Sequence, residues 1–336
     1  MANKRKFLLT CIIVVISGIA TFNLLFYTKT TTTQIIQLTH ANFNCKDIPK
    51  TDYQYNDPQD LIRTVDVVIP SHEKDREVLE RCIAAAKKYI KNIGRVIVVS
   101  KNKMTDNAEF YPEHSFPFSY KDIEMHLIKH RVFSYWPSCL KLYLKSPKRA
   151  GWYLSQLIKL YAAVTIPNVS NDVLVLDSDT MFTKPITFTF GKDGAYIGVT
   201  NNECFESYVN HAKRLLPELQ NTPTLGYSGI VHHQLTMKDV MAKLIQTGEK
   251  HHGLPFWKAF MMSADLGCES NIEASEYEVG LLFALHYFPE RTRIRKMVWA
   301  NDERTVPDNL MVDPLPDQFK EYGDMVSVHH YRRPWI

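Results

Sequence analysis

Two short apolar runs, Val65-Asp66-Val67-Val68-Ile69-Pro70 and Arg95-Val96-Ile97-Val98-Val99-Ser100, constrain the fold more than any other feature of the chain. Each is strand length and is bounded by polar or turn residues, the pattern of a strand covered on both faces. Between them, Asp75 to Asn92 carries Val78, Leu79, Cys82, Ile83, Ala86 and Ile90 at helical spacing. Strand, helix and strand in this order predict a βαβ unit, and hence parallel strands with helices on their faces.

Later segments extend the pattern. Met104 to Tyr120 is polar, aromatic and proline-containing, which predicts a loop, and Glu124 to His130 is expected as a third strand. Trp152 to Val164 reads as a helix with Leu154, Leu157, Ile158, Tyr161 and Ala162 on one side. Asp172-Val173-Leu174-Val175-Leu176 is the most strongly apolar strand, and Ala195 to Thr200 is another. Helices are expected over Cys204 to Leu219, Thr236 to Gln246 and Ser275 to Tyr287, with a last strand over Met325 to His330. There is no internal repeat.

The length of 336 residues suits one large catalytic domain with accessory segments, or at most two domains. Net charge is +4, with no long basic run beyond the N-terminus, so composition gives no support to nucleic-acid binding. Lys4, Arg5 and Lys6 precede an uncharged apolar stretch, Phe7 to Tyr27. As a helix it would be about 30 Å long, enough to cross a bilayer. Its basic flank predicts a cytoplasmic tail, 1–6, and a single-pass type II anchor, 7–27, rather than a cleaved signal peptide, whose apolar stretch is shorter. The Thr-rich segment that follows reads as a stem, 28–60, leaving 61–336 as the catalytic domain. Cys11 lies in the span. Cys45, Cys82, Cys139, Cys204 and Cys268 show no CxxC spacing, which argues against zinc and leaves room for one or two disulfides with a free thiol over. Asn168-Val169-Ser170 is an acceptor sequon that has meaning only in a lumenal domain.

Directly after the most apolar strand come Asp177, Ser178 and Asp179. Ligands of open α/β sheets bind beyond the carboxyl ends of strands. Two carboxylates emerging together there repel one another and lose hydration unless a cation joins them. The chemistry suits a hard ion, Mn²⁺ or Mg²⁺, held by one or two carboxylates together with substrate phosphates. A plain polar turn after a strand is the alternative.

The segments Gly151-Trp152-Tyr153-Leu154-Ser155-Gln156-Leu157-Ile158-Lys159-Leu160 and Val173 to Phe182, followed by Lys184-Pro185, resemble the core of GT-A-fold glycosyltransferases. They are most similar to a glycosyltransferase-like family of bacteria and large viruses, in which a Gln-x-x-Lys-Leu helix precedes a strand ending in Asp-x-Asp-Thr. The resemblance covers roughly Val65 to His330 and is sharp over Gly151 to Pro185. It implies a Rossmann-like, mixed, mostly parallel sheet flanked by helices. It implies a UDP- or GDP-sugar donor with its diphosphate bound through a cation at Asp177 and Asp179, with Gln156 and Lys159 near that donor. It also implies that the first strand and its loop, with Ser71, His72 and Asp75, dock the nucleotide. Asp75 is equally in place for a helix N-cap. The acceptor would be a hydroxyl of a glycan, glycoprotein or glycolipid, and the domain would face a lumen of the Golgi or ER type or an equivalent host or viral membrane.

Ser275 to Glu278 fits a capping box, which gives Glu278 a structural duty. Glu276 has none, and the resemblance places an acidic residue here at the acceptor. An inverting transferase needs a carboxylate to take the acceptor proton, so Glu276 is the first candidate base and Asp265 the reserve. The alternating strand Val326 to Tyr331 presents only one of His329 and His330 to a site, as a third metal ligand of the kind GT-A enzymes often take. His232-His233, His251-His252 and the Gly226-Tyr227-Ser228-Gly229 turn carry weaker signals. Two rivals stand beside the transferase. A phosphatase of the haloacid dehalogenase type also uses Asp-x-Asp after a strand, but with Thr or Val in the fifth place, where this chain has Met181. A non-catalytic sugar-binding member of the same fold is the other.

Overall fold

The computed structural model describes residues 63–134, 146–199, 205–222, 235–264, 274–301 and 323–327. From β1 (Val65–Pro70) the chain passes through a 3-10 turn, Glu73–Asp75, into α1 (Arg76–Tyr89) and returns along β2 (Ile93–Ser100). β3 (Glu109–Pro112), α2 (Tyr120–Ser134), α3 (Ser146–Thr165), β4 (Asp172–Val175), β5 (Thr180–Phe182), β6 (Thr189–Phe190) and β7 (Gly194–Val199) follow. The described remainder is α4 (Glu206–Leu215), β8 (Leu235–Met237), α5 (Lys238–His252), α6 (Phe256–Ser263), α7 (Glu276–Tyr287), β9 (Thr292–Lys296), β10 (Trp299–Asn301) and β11 (Met325–Ser327).

The main sheet has the order β3-β2-β1-β4-β8. β3, β2, β1 and β4 are parallel, and β8 closes one edge antiparallel to β4. This is the mixed, mostly parallel sheet expected. β1 is buried along its whole length, as its apolar run requires. Val67, Val68 and Ile69 form the core with Leu79 and Ile83 of α1 and Leu157 of α3. Two smaller sheets, β10-β11-β5 and β6-β7-β9, complete the fold.

Strand order reverses at β1. The chain builds outward from β1 through β2 to β3, then returns to set β4 on the other side of β1. Such a reversal opens a crevice beyond the carboxyl ends of the two strands that part there. Val68 lies opposite Val175, the last residue of β4, so β1 runs two residues further and Asp177 leaves the sheet level with Pro70, next to Ser71.

The opposite, amino edge is held by two buried carboxylates. Asp66 accepts from the backbone N–H of Arg95 and of Ser170, both at 2.7 Å, and so ties β1 to β2 and to the approach of β4. A Cβ on Gly94 would stand 2.3 Å from the Asp66 Oδ1 that this bonding fixes, so that position needs glycine. Asp172 takes Arg63 Nε and Nη2 at 2.7 and 2.9 Å, and the same guanidinium donates to the carbonyls of Phe190, Gly191 and Gly194. The Arg95 guanidinium, at the start of β2, donates to the carbonyl of Pro167, just past the end of α3. α3 therefore ends at the amino edge and runs against the strands.

Three expectations are corrected. Glu109–Pro112 is an edge strand inside the predicted loop, paired in parallel with β2. Glu124 to His130 is helical, within α2. Ser119 and Asp122 cap that helix reciprocally, and Ile123 and Leu127 bury one face at i, i+4 spacing. Thr236 belongs to β8, where its hydroxyl donates to the Val173 carbonyl, and the helix starts only at Lys238. Among the described residues no helix is long and apolar enough to cross a membrane. The tail, anchor and stem called over 1–60 lie outside those residues, as do Cys11, Cys45, Cys139, Cys204 and Cys268. Cys82 is buried with a free thiol.

Candidate functional site

The site is built where β4 ends. The backbone turns tightly, with the Thr180 N–H returning to the Asp177 carbonyl at 3.2 Å, and then enters β5. Ser178 and Thr180 are buried, while Asp177 and Asp179 are half-buried and reach outward. Thr180 is fixed by its hydroxyl contact with Ser327 Oγ at 2.7 Å, and Trp299 Nε1 donates to the same Ser327 oxygen. The two-aspartate turn is thus anchored on both sides.

α3 and α7 deliver the other groups. Lys159, on the buried face of α3, is 4% exposed, and its ammonium forms an ion pair with Asp177 Oδ1. It also donates to Glu276 Oε1 at 2.7 Å and to the Tyr277 hydroxyl at 3.0 Å. Tyr277 in turn donates to Asp177 Oδ2 at 3.3 Å. Glu276 and Tyr277 open α7, whose N-cap Ser275 accepts from the Glu278 N–H. The cap sets the start of the helix and so aims both side chains at Lys159.

Two carboxylates therefore share one ammonium, and Asp179 brings a third carboxylate to the same edge. Burial works against the charge on Lys159, but Asp177 and Glu276 outweigh it and hold its pKa well above the ordinary lysine value. Burial raises the Glu276 carboxyl, and Asp177 adds to the rise while Lys159 opposes it. Burial, then Asp177, pushes the Tyr277 hydroxyl far up, so it stays a donor. Cys82 packs beneath, its thiol 3.6 Å from the Asp177 carbonyl. Burial and the nearby Asp179 and Asp177 charges push that thiol up, which removes it as a nucleophile.

Of the residues singled out in the sequence, the structure brings together Lys159, Asp177 and Glu276, with Ser178 and Asp179 in the same turn. Ser71 stands at the adjacent end of β1, its backbone N–H donating to the Val99 carbonyl and its buried hydroxyl without a hydrogen-bond partner among the described residues. His72 is exposed and caps the turn that starts α1, accepting from the Lys74 N–H. Asp75 occupies the N-cap position of α1 without a side-chain cap bond. Gln156 lies one helical turn before Lys159 and is 2% exposed. Asp265, His329 and His330 lie outside the described residues, as do His232, His233 and the turn from Gly226 to Gly229.

Tyr277 was not singled out from sequence, although it bridges the two charged partners. Sequence spacing carries no signal for it, since neighbouring helix residues face different ways and only the placement of α7 brings both Glu276 and Tyr277 to Lys159. The capping box is half made. The Glu278 carboxylate has no hydrogen-bond partner among the described residues, and burial pushes its pKa up to about 7.

The donor set fits a hard divalent cation. Asp177 and Asp179 supply carboxylate oxygens, the ligand type such ions prefer. No group of three His, Cys, Asp or Glu gathers among the described residues. A Mg²⁺-type site does not require one, since such ions take one or two carboxylates and complete their shell with water and phosphate.

Comparison with curated protein sequences gives no match. Among solved structures, the apo crystal structure of mouse xyloside xylosyltransferase 1 overlaps 80% of this chain and 98% of its own, at 10% identity and a TM-score of 0.36. One family model covers the domain described above, residues 62–330, and by that match the chain belongs to the family of unknown function DUF6492.

Proposed function

We propose that the chain is a metal-dependent glycosyltransferase that moves a sugar from a UDP- or GDP-sugar to a hydroxyl of a glycan, glycoprotein or glycolipid. The observation that carries this reading is the charge arrangement at the strand-order reversal: Asp177 and Asp179 at the end of β4, backed by a buried Lys159 shared with Glu276. Asp177 and Asp179 would hold Mn²⁺ or Mg²⁺, which supplies neutralisation of the departing diphosphate. His329 or His330 is the third ligand in this reading. Lys159 fixes the orientation of Asp177 and adds positive charge behind the diphosphate. Ser71, with His72 and Asp75 after it, is assigned to the nucleotide, and the free hydroxyl of Ser71 supports that assignment. Glu276 is assigned as the base that takes the acceptor proton in an inverting reaction, and its raised pKa suits a proton acceptor. Asp265 remains its reserve. The lumenal, type II membrane setting is part of the same proposal and rests on Lys4 to Tyr27.

A hydrolysis screen over UDP- and GDP-sugars, with and without Mn²⁺, tests this reading. We expect metal-dependent release of nucleoside diphosphate that falls at least about 100-fold in Asp179→Ala, as for loss of a preorganised electrostatic group. Full activity in that variant would sink the site.

A further inference from the structure

We infer that Gln156 is the sugar-reading residue of the donor site, its carboxamide pairing with hydroxyls of the transferred sugar. The inference rests on the transferase reading above and names a subsite within it.

Gln156 is 2% exposed, yet neither Oε1 nor Nε2 has a hydrogen-bond partner among the described residues. Native proteins rarely leave both ends of a buried amide unmade, because each lost bond costs free energy without return. The position explains the exception. Gln156 and Lys159 are three residues apart on α3 and so share a face. α3 runs against the strands: its end meets Arg95 at the amino edge, and Lys159 meets Asp177 beyond the carboxyl end of β4. One turn before Lys159, Gln156 stands about 4.5 Å further along the α3 axis, away from the amino edge.

The two vacant atoms also define the ligand. A phosphate offers acceptors only and would leave Oε1 unpaired. A sugar hydroxyl both donates and accepts, and neighbouring hydroxyls on one ring meet both ends of a carboxamide. In a nucleotide sugar the ring is joined to the diphosphate, the part assigned to Asp177, Asp179 and Lys159. A residue one turn from Lys159 is placed for the sugar, whereas the nucleotide end is assigned to Ser71 on the neighbouring strand. Substrate binding would then satisfy an amide that the free protein leaves unpaired, which gives the site discrimination among sugars.

The test uses Gln156→Met, close in shape, and Gln156→Ala as a second variant. Calorimetric titration with UDP and GDP is compared with titration by UDP-glucose, UDP-galactose and GDP-mannose, all with Mn²⁺. Thermal unfolding is recorded without ligand. In the wild type a nucleotide sugar should bind more tightly than its nucleoside diphosphate. Both variants should bind the diphosphate as the wild type does and lose roughly tenfold of the sugar-dependent gain. Without ligand, Gln156→Met should melt about 2–4 °C higher, because a buried unpaired amide is gone. An undiminished sugar gain in both variants, or a lower melting temperature in Gln156→Met, overturns the assignment of Gln156 alone. No binding of any nucleotide sugar by the wild type overturns the transferase reading, and this inference falls with it.

Discussion

At the amino edge of the main sheet, Asp66 and Asp172 are buried carboxylates matched by backbone N–H groups and a guanidinium. At the carboxyl edge, Asp177 and Glu276 divide one ammonium between them, and the Gln156 amide has no hydrogen-bond partner among the described residues. Glu276 is as buried as Asp66 and Asp172, so burial alone does not separate the two edges. What separates them is completeness. A matched carboxylate is a staple, and removing it should cost stability and little else. A buried group that lacks partners among the described residues, as the Gln156 amide does, is held in an unfavourable state by the surrounding fold, and the bonds it lacks point to a ligand rich in hydroxyls.

The largest effect should come from breaking a staple. Asp66→Ala leaves the N–H groups of Arg95 and Ser170 without their acceptor, and we expect a loss of about 3–5 kcal/mol in urea unfolding. A loss below about 1 kcal/mol would erase the contrast. Next comes Lys159→Met, which strands Asp177 and Glu276 without their shared cation. In that variant the Glu276 carboxyl, already raised by burial, should hold its proton more tightly folded than unfolded. The stability it leaves is then present in acid and lost as pH rises through the raised value. The variant should lie near the wild type at pH 5 and fall roughly 2–4 kcal/mol below it at pH 8, read by denaturant titration at both pH values. Equal destabilisation at both would show that Lys159 acts by packing.

The smallest effect concerns Glu278. Its carboxyl, ordinarily near 4.5, is pushed up to about 7 in the folded protein, so stability is fully present below pH 4.5 and is lost between there and pH 7. Glu278→Gln should remove that loss, worth about 2 kcal/mol once partial solvent screening is allowed for. An unchanged pH profile would mean that the carboxylate finds a partner after all.

The strands and helix that place the site were legible because their patterns are unambiguous. Val65 to Pro70, the spacing from Val78 to Ile90, and the apolar run before Asp177 each admit one reading, and the parallel pairing follows from them. The misread segments are those where pairing or capping decides. Glu109 to Pro112 is strand only because β2 offers its edge. Glu124 to His130 alternates weakly, and the cap at Ser119 makes it helix. In the site, Asp177, Lys159 and Glu276 were visible as chemistry-bearing residues, yet their mutual contact was not, since it joins positions 117 residues apart. Tyr277 and the unmade half of the capping box at Glu278 depend on where a helix start points, which sequence spacing does not encode.

The central claim is that Asp177 and Asp179 hold a divalent cation together with a nucleoside diphosphate. Electron paramagnetic resonance titration of Mn²⁺ against the full chain, with and without UDP or GDP, measures this directly. We predict one Mn²⁺ site that tightens at least about tenfold when the diphosphate is present, as linked binding requires, and that disappears in Asp179→Ala. Mn²⁺ binding that is absent from the wild type, or that is the same in Asp179→Ala, would contradict the account.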